Sequence, residues 1–110
     1  MKTGYRVALA QSAQDDLLDG YWFYEAQRAG IGNYFLEQLY GDINGLAIFA
    51  GIHAKAFSTV HRTFSKRFPY GIYYVLDGDL ATVVAILDTR QNPHNITARL
   101  YTPEPARQPL

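Results

Sequence analysis

The chain has 110 residues, of which 48% are hydrophobic, 15% aromatic and 18% charged, and it contains no cysteine. This length fits a single domain, and the apolar content excludes an intrinsically disordered chain. The lack of cysteine excludes disulfides, thiolate nucleophiles and cysteine-based zinc sites. No stretch approaches the roughly 20 apolar residues that span a bilayer, and no signal peptide precedes the first strand, so we expect a cytoplasmic protein without membrane association.

The charged residues divide unevenly along a chain whose formal net charge is zero. Residues 1–54 carry three basic and six acidic side chains, a net charge of −3, and residues 55–110 carry seven basic and four acidic ones, a net charge of +3. A basic half suits RNA, DNA or an acidic protein segment as a partner. A difference of this size also arises by chance, so charge alone leaves the partner open.

The first quarter of the chain predicts a strand followed by a helix. Residues 5–9 alternate large apolar with polar or small side chains, the period of a half-buried strand. Ser12 and Asp15 have the spacing of a capping box, which predicts that a helix begins there. Gly30 is expected to take the left-handed conformation that ends this helix near Arg28. The apolar stripe expected to face the core consists of Leu17, Leu18, Tyr21, Trp22 and Tyr24.

A second helix follows a short turn at residues 30–33. Its apolar residues repeat at alternating three- and four-residue steps, which is typical of a helix with one core-facing side. Two helices joined this tightly form an antiparallel hairpin. Residues 51–57 have no clear period and are interpreted as the crossing from helices to sheet. The repeating residues are Leu36, Leu39, Ile43, Leu46 and Ala50.

Three consecutive strands are predicted at residues 60–64, 70–76 and 80–87, which are rich in aromatic and β-branched side chains. Asp77 and Gly78, between the last two runs, predict a hairpin with a type I′ turn, in which both central residues have positive φ.

The C-terminal segment predicts one short helix and a tail. Asn92 is a good N-cap and Pro93 suits the first helical position, so a helix is expected through Leu100. The prolines of residues 102–110 exclude both helix and strand pairing there. We therefore expect one domain over residues 1–101 and a proline-rich tail, either solvated or dependent on a partner.

The order of elements predicts an α+β fold. It is β-α-α-β-β-β with a short C-terminal helix, in which the helical hairpin packs on one face of an antiparallel sheet.

Four segments together resemble the RelE/ParE toxin superfamily. RFPYGIYYVL (residues 67–76) and VVAILDTRQNP (residues 83–93) are similar to the family's Arg-Phe-Pro-Tyr run and to the turn after its Val-Val-x-Ala strand. AQDDL (residues 13–17) and YWFYEAQ (residues 21–27) resemble its first helix. The resemblance implies the toxin of a type II toxin–antitoxin pair that stabilises plasmids, neutralised by a cognate antitoxin that wraps an extended arm and a helix over it.

Two activities exist in this superfamily, and individual residues of this chain indicate which one it resembles. RelE-like members cut messenger RNA on the ribosome with basic sheet residues and a C-terminal Tyr or His, whereas ParE-like members poison DNA gyrase. Gly71 stands where the nucleases carry an arginine, and it neither bears charge nor transfers a proton. Asp88 replaces a common His, and Gln91 replaces a second Arg. The resemblance therefore favours a ParE-like inhibitor of gyrase over an enzyme.

Two alternatives stay open beside gyrase inhibition. One is a RelE-like ribosome-dependent endoribonuclease, in which Arg67 and Arg90 would contact phosphate. The other is an inactive descendant that binds the antitoxin.

Five residues are the candidates for contact with the target or the antitoxin, and each has a plainer interpretation. Basic side chains at a strand end are often merely solvated, Arg90 has Asp88 as an intramolecular partner, and tyrosines more often shield a sheet than bind a partner. No cofactor is predicted, and the three histidines lack the grouping of a metal site. The candidates are Arg62, Lys66, Arg67, Tyr73 and Arg90.

Overall fold

A helical hairpin and a five-stranded sheet form the part of the chain that this computed structural model describes, residues 4–101. Residues 1–3 and the predicted tail, residues 102–110, lie outside the described residues. The elements in chain order are β1 (Arg6–Leu9), α1 (Gln11–Gln27), α2 (Ile31–Asn44), α3 (Leu46–Phe49), β2 (Lys55–Phe57), β3 (Val60–Phe64), β4 (Tyr70–Asp77), β5 (Leu80–Asp88) and α4 (Pro93–Tyr101). The α+β class is confirmed, and the predicted elements occur in the predicted order, with α3 and β2 in addition.

The strands lie in the order β1-β5-β4-β3-β2. β3, β4 and β5 pair antiparallel in succession, as predicted for a meander, and β2 pairs antiparallel with β3. β1 instead pairs parallel with β5, from Arg6 opposite Leu80 to Leu9 opposite Val83, so the sheet is mixed rather than antiparallel throughout. The helical hairpin connects β1 to the far side of the sheet, and β1 pairs with the edge of β5 that β4 leaves open.

Residues 45–57 differ most from the sequence prediction. The second helix is interrupted after Asn44, and its last turn forms the separate α3. Part of the segment interpreted as a crossing forms the three-residue strand β2, which pairs with β3 through Lys55 opposite His61. A strand this short has too few residues for its side-chain alternation to be recognised in the sequence.

The beginning of α1 also differs from the prediction. The N-cap is Ala10, with no side-chain hydrogen bond, and the Ser12 hydroxyl donates to the Val84 carbonyl oxygen at 2.7 Å. The predicted capping box is therefore wrong, because Ser12 lies within the first turn and binds the sheet. At the other end, α1 ends at Gln27 and Gly30 has a φ of 94°, as predicted.

The main core lies between the helical hairpin and one face of the sheet. Gly20 brings α1 close to α2, since a Cβ atom there would lie 2.5 Å from the ring of Phe35. The prediction that Trp22 belongs to the core is wrong: its side chain is 60% exposed, because the buried side of α1 contains Ala13, Leu17 and Gly20. The fully buried large side chains of this core include Phe35, Leu39, Ile43, Leu46, Ile72, Tyr74, Val83 and Ile86.

The turn between β4 and β5 differs from the prediction, whereas the C-terminal helix agrees with it. The hairpin between β4 and β5 exists, but its turn residues are Gly78 and Asp79, and of these only Gly78 has positive φ, at 61°. The type I′ assignment is therefore wrong, since that turn needs two residues with positive φ. The C-terminal helix is confirmed as α4, and the Asn92 side chain accepts a hydrogen bond from the His94 N–H at 2.8 Å.

Candidate functional site

The second face of the sheet, which points away from the helical hairpin, is the candidate binding surface. Its buried residues are Val60, Tyr73 and Ala85, and Ile96 and Leu100 of α4 pack against them. A cleft of about 310 Å³ opens beside this contact, between α4 and the β2–β3 turn. α4 therefore covers part of the face and leaves the remainder accessible.

Arg62 provides the basic charge on this second face. The strand register places Arg62 opposite Tyr73 and Phe64 opposite Gly71. The Arg62 guanidinium lies 4.7 Å from the ring centroid of Phe64 and 6.0 Å from that of Tyr73. Such cation–π contacts hold the guanidinium against the aromatic surface and keep it accessible to a partner.

Tyr73 lies beneath this surface rather than on it. The side chain is fully buried, and a Cβ atom at Gly71 would lie 2.9 Å from its Cε1 atom and its hydroxyl oxygen. The ring thus occupies the space that any larger residue at position 71 would need. The prediction of Tyr73 as an exposed binding residue is wrong, because the missing side chain of Gly71 lets the ring lie flat against the sheet.

Arg90 binds Asp88 in the turn that follows β5. Its Nε donates to Oδ1 at 3.1 Å, its Nη2 donates to Oδ2 at 2.8 Å, and its main-chain N–H donates to Oδ1 at 2.8 Å. These hydrogen bonds lower the pKa of Asp88 and raise that of Arg90. Nearby, burial raises the pKa of Tyr70 to about 12. Arg90 is exposed, but its charge is already compensated within the chain.

Lys66 and Arg67 follow β3 and border two different depressions. Lys66 lines a groove of about 290 Å³ together with residues of α2, α3 and β3, and its main-chain N–H donates to Asp42 at 3.2 Å. Arg67 lines a shallow cavity of about 500 Å³ at the junction of α1 and α2. The structure therefore spreads the predicted basic residues around one end of the sheet instead of gathering them in one patch.

One buried ion pair was not predicted from the sequence. Asp16 of α1 accepts two hydrogen bonds from Arg99 of α4, at 2.7 and 2.9 Å, and a third from the Ile86 N–H at 2.9 Å. Burial raises the pKa of Asp16, and the Arg99 hydrogen bond opposes this effect. Asp16 lies one turn from Ala13 and Gly20 on the buried side of the helix, which was the available signal.

A second unpredicted cluster contains His53, His61 and Tyr74. The His53 Nδ1 atom lies 2.6 Å from the Tyr74 hydroxyl, and the His61 ring stacks on the Tyr74 ring. On the sequence alone the histidines were considered only as metal ligands, and the contact of His53 and His61 with Tyr74 forms only in the folded chain. Across residues 4–101, no group of three or more His, Cys, Asp or Glu side chains is arranged to hold a metal ion, and no helix is both long and apolar enough to cross a bilayer.

No protein-family model and no curated protein sequence matches the chain. Solved structures do match it. One chain from the chromosomal ParDE toxin–antitoxin system of P. aeruginosa is similar with a TM-score of 0.70 at 15% sequence identity, over 77% of this chain and 96% of that chain. The TM-score of 0.70 over most of both chains shows that this chain has the RelE/ParE-like fold.

Proposed function

We propose that the chain is the toxin of a type II toxin–antitoxin pair, that a cognate antitoxin neutralises it in the cytoplasm, and that its target is DNA gyrase. The similarity to a chain of a ParDE toxin–antitoxin system supports the toxin assignment. The four sequence segments that resemble the superfamily occupy α1, β4, β5 and the turn after β5, which are elements of the shared fold.

The contact between Gly71 and Tyr73 is the observation that favours gyrase over RNA cleavage. Attack by a 2′-hydroxyl needs groups that accept a proton, donate one and neutralise the charge on phosphate. At the position of the nuclease arginine, this chain has a glycine covered by the ring of Tyr73, whose hydroxyl is buried. Neither residue is able to reach a phosphate on the surface of the sheet.

The two arginines that a nuclease would use are poorly suited to bind phosphate. The guanidinium of Arg90 already donates from Nε and Nη2 to the two carboxylate oxygens of Asp88, and this carboxylate would repel a phosphate at the same place. Arg67 borders the cavity at the junction of the helices, and not the second face of the sheet. A toxin that acts through contact with another protein needs no such phosphate site.

Exposed apolar side chains on α1 support a protein partner. Leu18, Trp22 and Phe23 have 54%, 60% and 51% of their surfaces exposed. Large apolar side chains grouped on one surface are typical of protein interaction sites. We propose the half-buried Arg62 and the exposed basic residues Lys66, Arg67 and Arg90 as contacts for the antitoxin or the target.

Purified protein tests this proposal against its alternatives. We expect inhibition of DNA supercoiling by purified gyrase, induction of the SOS response in cells, and intact transcripts. Cleavage of messenger RNA in a ribosome assay, with supercoiling unaffected, would establish the RelE-like alternative. Normal growth despite soluble, folded protein would leave the inactive antitoxin-binding descendant.

A pair of arginine variants tests the proposed contacts. Arg90→Gln should weaken the inhibition of gyrase or the binding of the antitoxin. Arg6→Gln is the matched control, because Arg6 forms a similar exposed pair with Asp79, at 2.9 Å, at the other end of the sheet. Equal effects of the two substitutions would exclude a specific role for Arg90.

A further inference from the structure

Tyr74 contacts the connection between α3 and β2, residues 50–54. This tyrosine of β4 is fully buried, and its hydroxyl oxygen accepts a hydrogen bond from the Gly51 N–H at 3.0 Å. The same oxygen lies 2.6 Å from Nδ1 of His53. Gly51 and His53 belong to the segment between α3 and β2, so one phenol holds two residues of that connection.

The hydroxyl of Tyr74 and the ring of His53 share one hydrogen bond, whose direction depends on the tautomer of His53. Burial raises the pKa of Tyr74, and the main-chain N–H groups of Gly51 and His53 offset this only in part, so the hydroxyl keeps its proton. A hydroxyl with one proton and two acceptor positions is able to accept from the Gly51 N–H and to donate to an unprotonated Nδ1 of His53. In that tautomer the neutral imidazole of His53 carries its hydrogen on Nε2.

β3 holds the same connection from the other side. Nδ1 of His61 lies 2.8 Å from the His53 carbonyl oxygen, which only accepts, so His61 donates through a protonated Nδ1. Its ring stacks on Tyr74 at 5.1 Å between centroids. The Arg62 N–H donates to the Ala54 carbonyl oxygen at 3.2 Å. Strands β3 and β4 therefore bind three residues of the connection.

The titratable groups around His53 give no compensation for a positive charge on its ring. β4 contributes the neutral Tyr74, and β3 contributes His61, which together with burial lowers the pKa of His53, burial being the larger cause. Tyr5, before β1, faces Tyr74. Asp42 and Lys66 line the same groove of about 290 Å³ as His53. The Asp42 carboxylate accepts hydrogen bonds from the Ser65 hydroxyl at 2.7 Å and from the Lys66 N–H.

We propose that His53 and Tyr74 form a proton-sensitive latch, which holds the connection between α3 and β2 closed while His53 is neutral and releases it when His53 is protonated. A protonated Nδ1 is a donor, and it would face a hydroxyl that needs an acceptor. A buried donor without an acceptor is unfavourable, so protonation favours separation of the two side chains.

The direction of the pH effect follows from the lowered pKa of His53 in the folded chain. At pH values between the two pKa values, His53 is protonated in the unfolded chain and neutral in the folded chain, so the folded protein binds fewer protons. The latch therefore contributes stability at neutral pH. This contribution begins to decrease when the pH falls below about 6.5, the usual pKa of histidine in an unfolded chain. It is lost once the pH has fallen through the lower pKa that His53 has in the folded chain.

Release of the latch would change the groove beside it. Ile52 and His53 line the groove together with Thr63 and Phe64 of β3. Movement of the connection away from Tyr74 would displace Ile52 and His53 and change the shape of the groove. The latch thus links the protonation of one histidine to the accessibility of the groove.

Amide hydrogen exchange of the full chain, measured by NMR at pH 7.5 and pH 5 and corrected for intrinsic rates, tests the latch. We expect the exchange of the Gly51 amide to become about fivefold faster at pH 5, the change that loss of one net hydrogen bond produces. His53→Asn keeps an acceptor near the position of Nδ1 and does not titrate, so it should remove this difference. His94→Asn, at an exposed histidine of α4, is the matched control and should retain it.

Equal pH dependence in the wild-type protein and in the His53→Asn variant would overturn the proposal. A second measurement uses the wild-type protein alone and therefore does not depend on whether a variant folds. Imidazole nitrogen chemical shifts at pH 7.5 should show His53 protonated at Nε2 and unprotonated at Nδ1. A proton on Nδ1 would reverse the hydrogen bond to Tyr74 and would equally exclude the latch.

Discussion

Arg99 of α4 binds both carboxylate oxygens of Asp16 of α1, at 2.7 and 2.9 Å, and this pair joins two helices on opposite faces of the sheet. The side chain of Asp16 is 10% exposed and that of Arg99 is 34% exposed. Asp16 also accepts from the Ile86 N–H of the central strand β5. One carboxylate therefore connects α1, β5 and α4.

Substitution of Asp16 should destabilise the fold far more than substitution of its neighbour. Asp16→Asn leaves Arg99 partly buried without its counter-charge, and we expect a loss of about 2 kcal/mol in the free energy of unfolding, less than for a fully buried pair because Arg99 is partly solvated. Asp15→Asn, at an exposed position of the same helix, is the control and should change it by less than about 0.5 kcal/mol. Urea denaturation at pH 7 measures both values, and similar losses would show that the pair contributes no specific stability.

Removal of Arg99 should make stability depend on pH in a defined direction. Burial raises the pKa of Asp16, and in Arg99→Met no guanidinium remains to oppose that effect. The folded variant then holds the Asp16 proton more tightly than the unfolded chain does, so its stability should decrease as the pH rises from 4.5 to 7.

Urea denaturation of Arg99→Met at the two pH values, compared with the wild-type protein, measures this effect. The deficit of the variant should be largest at pH 7 and smaller at pH 4.5. A deficit independent of pH would mean that α4 is held by the packing of Ile96 and Leu100 alone.

The fold was predictable where the side-chain pattern depends only on local structure. The alternation and the β-branched content of residues 60–87 identified β3, β4 and β5, because β4 and β5 contain most of the buried residues of the sheet and β3 is half-buried along most of its length. The direction of β1 was not predictable, since alternation shows which face is buried and not which neighbour a strand pairs with.

The site was less predictable because its residues act through contacts distant in the sequence. Asp16 and Arg99 are 83 positions apart, and His53 and Tyr74 are 21 apart. Trp22 was assigned to the core because it belongs to the apolar stripe of the first helix, whereas the glycine at position 20 marks the side of α1 that faces α2. Tyr73 was assigned to the surface because the space above Gly71 is apparent only when the strand is folded.

Arg90 should control the pKa of Asp88. The hydrogen bonds from the Arg90 side chain are the largest cause of the lowered pKa of this carboxylate. In Arg90→Gln the pKa should rise towards the usual value for Asp of about 3.9, whereas Arg6→Gln should leave it unchanged. Carboxyl carbon NMR titration measures the pKa in each protein.

The same contact has a small consequence for stability. Because the pKa of Asp88 is lowered in the folded chain, its contribution is present at neutral pH and is lost as the pH falls through that lowered value. Arg90 is exposed, so we expect this contribution to be slight. An unchanged Asp88 titration in Arg90→Gln would mean that the ion pair does not persist in solution.

Gly71 and Tyr73 should show opposite responses to small changes in side-chain size. Gly71→Ala places a methyl group 2.9 Å from two atoms of the Tyr73 side chain, and we expect a loss of about 1–3 kcal/mol in the free energy of unfolding, typical of overpacking. Tyr73→Phe removes a buried hydroxyl that has no hydrogen-bond partner among residues 4–101, so it should be neutral or stabilising.

The double variant separates the two effects, because the Tyr73 hydroxyl oxygen is one of the three Tyr73 atoms that the new methyl group would meet. Tyr73→Phe should therefore reduce the loss caused by Gly71→Ala, a coupling that urea denaturation of the four proteins measures. If the effects of the two substitutions on the free energy of unfolding simply add, the ring has moved away from position 71 in solution. Position 71 would then be open to a larger side chain, and the principal argument against a nuclease site on this face would fail.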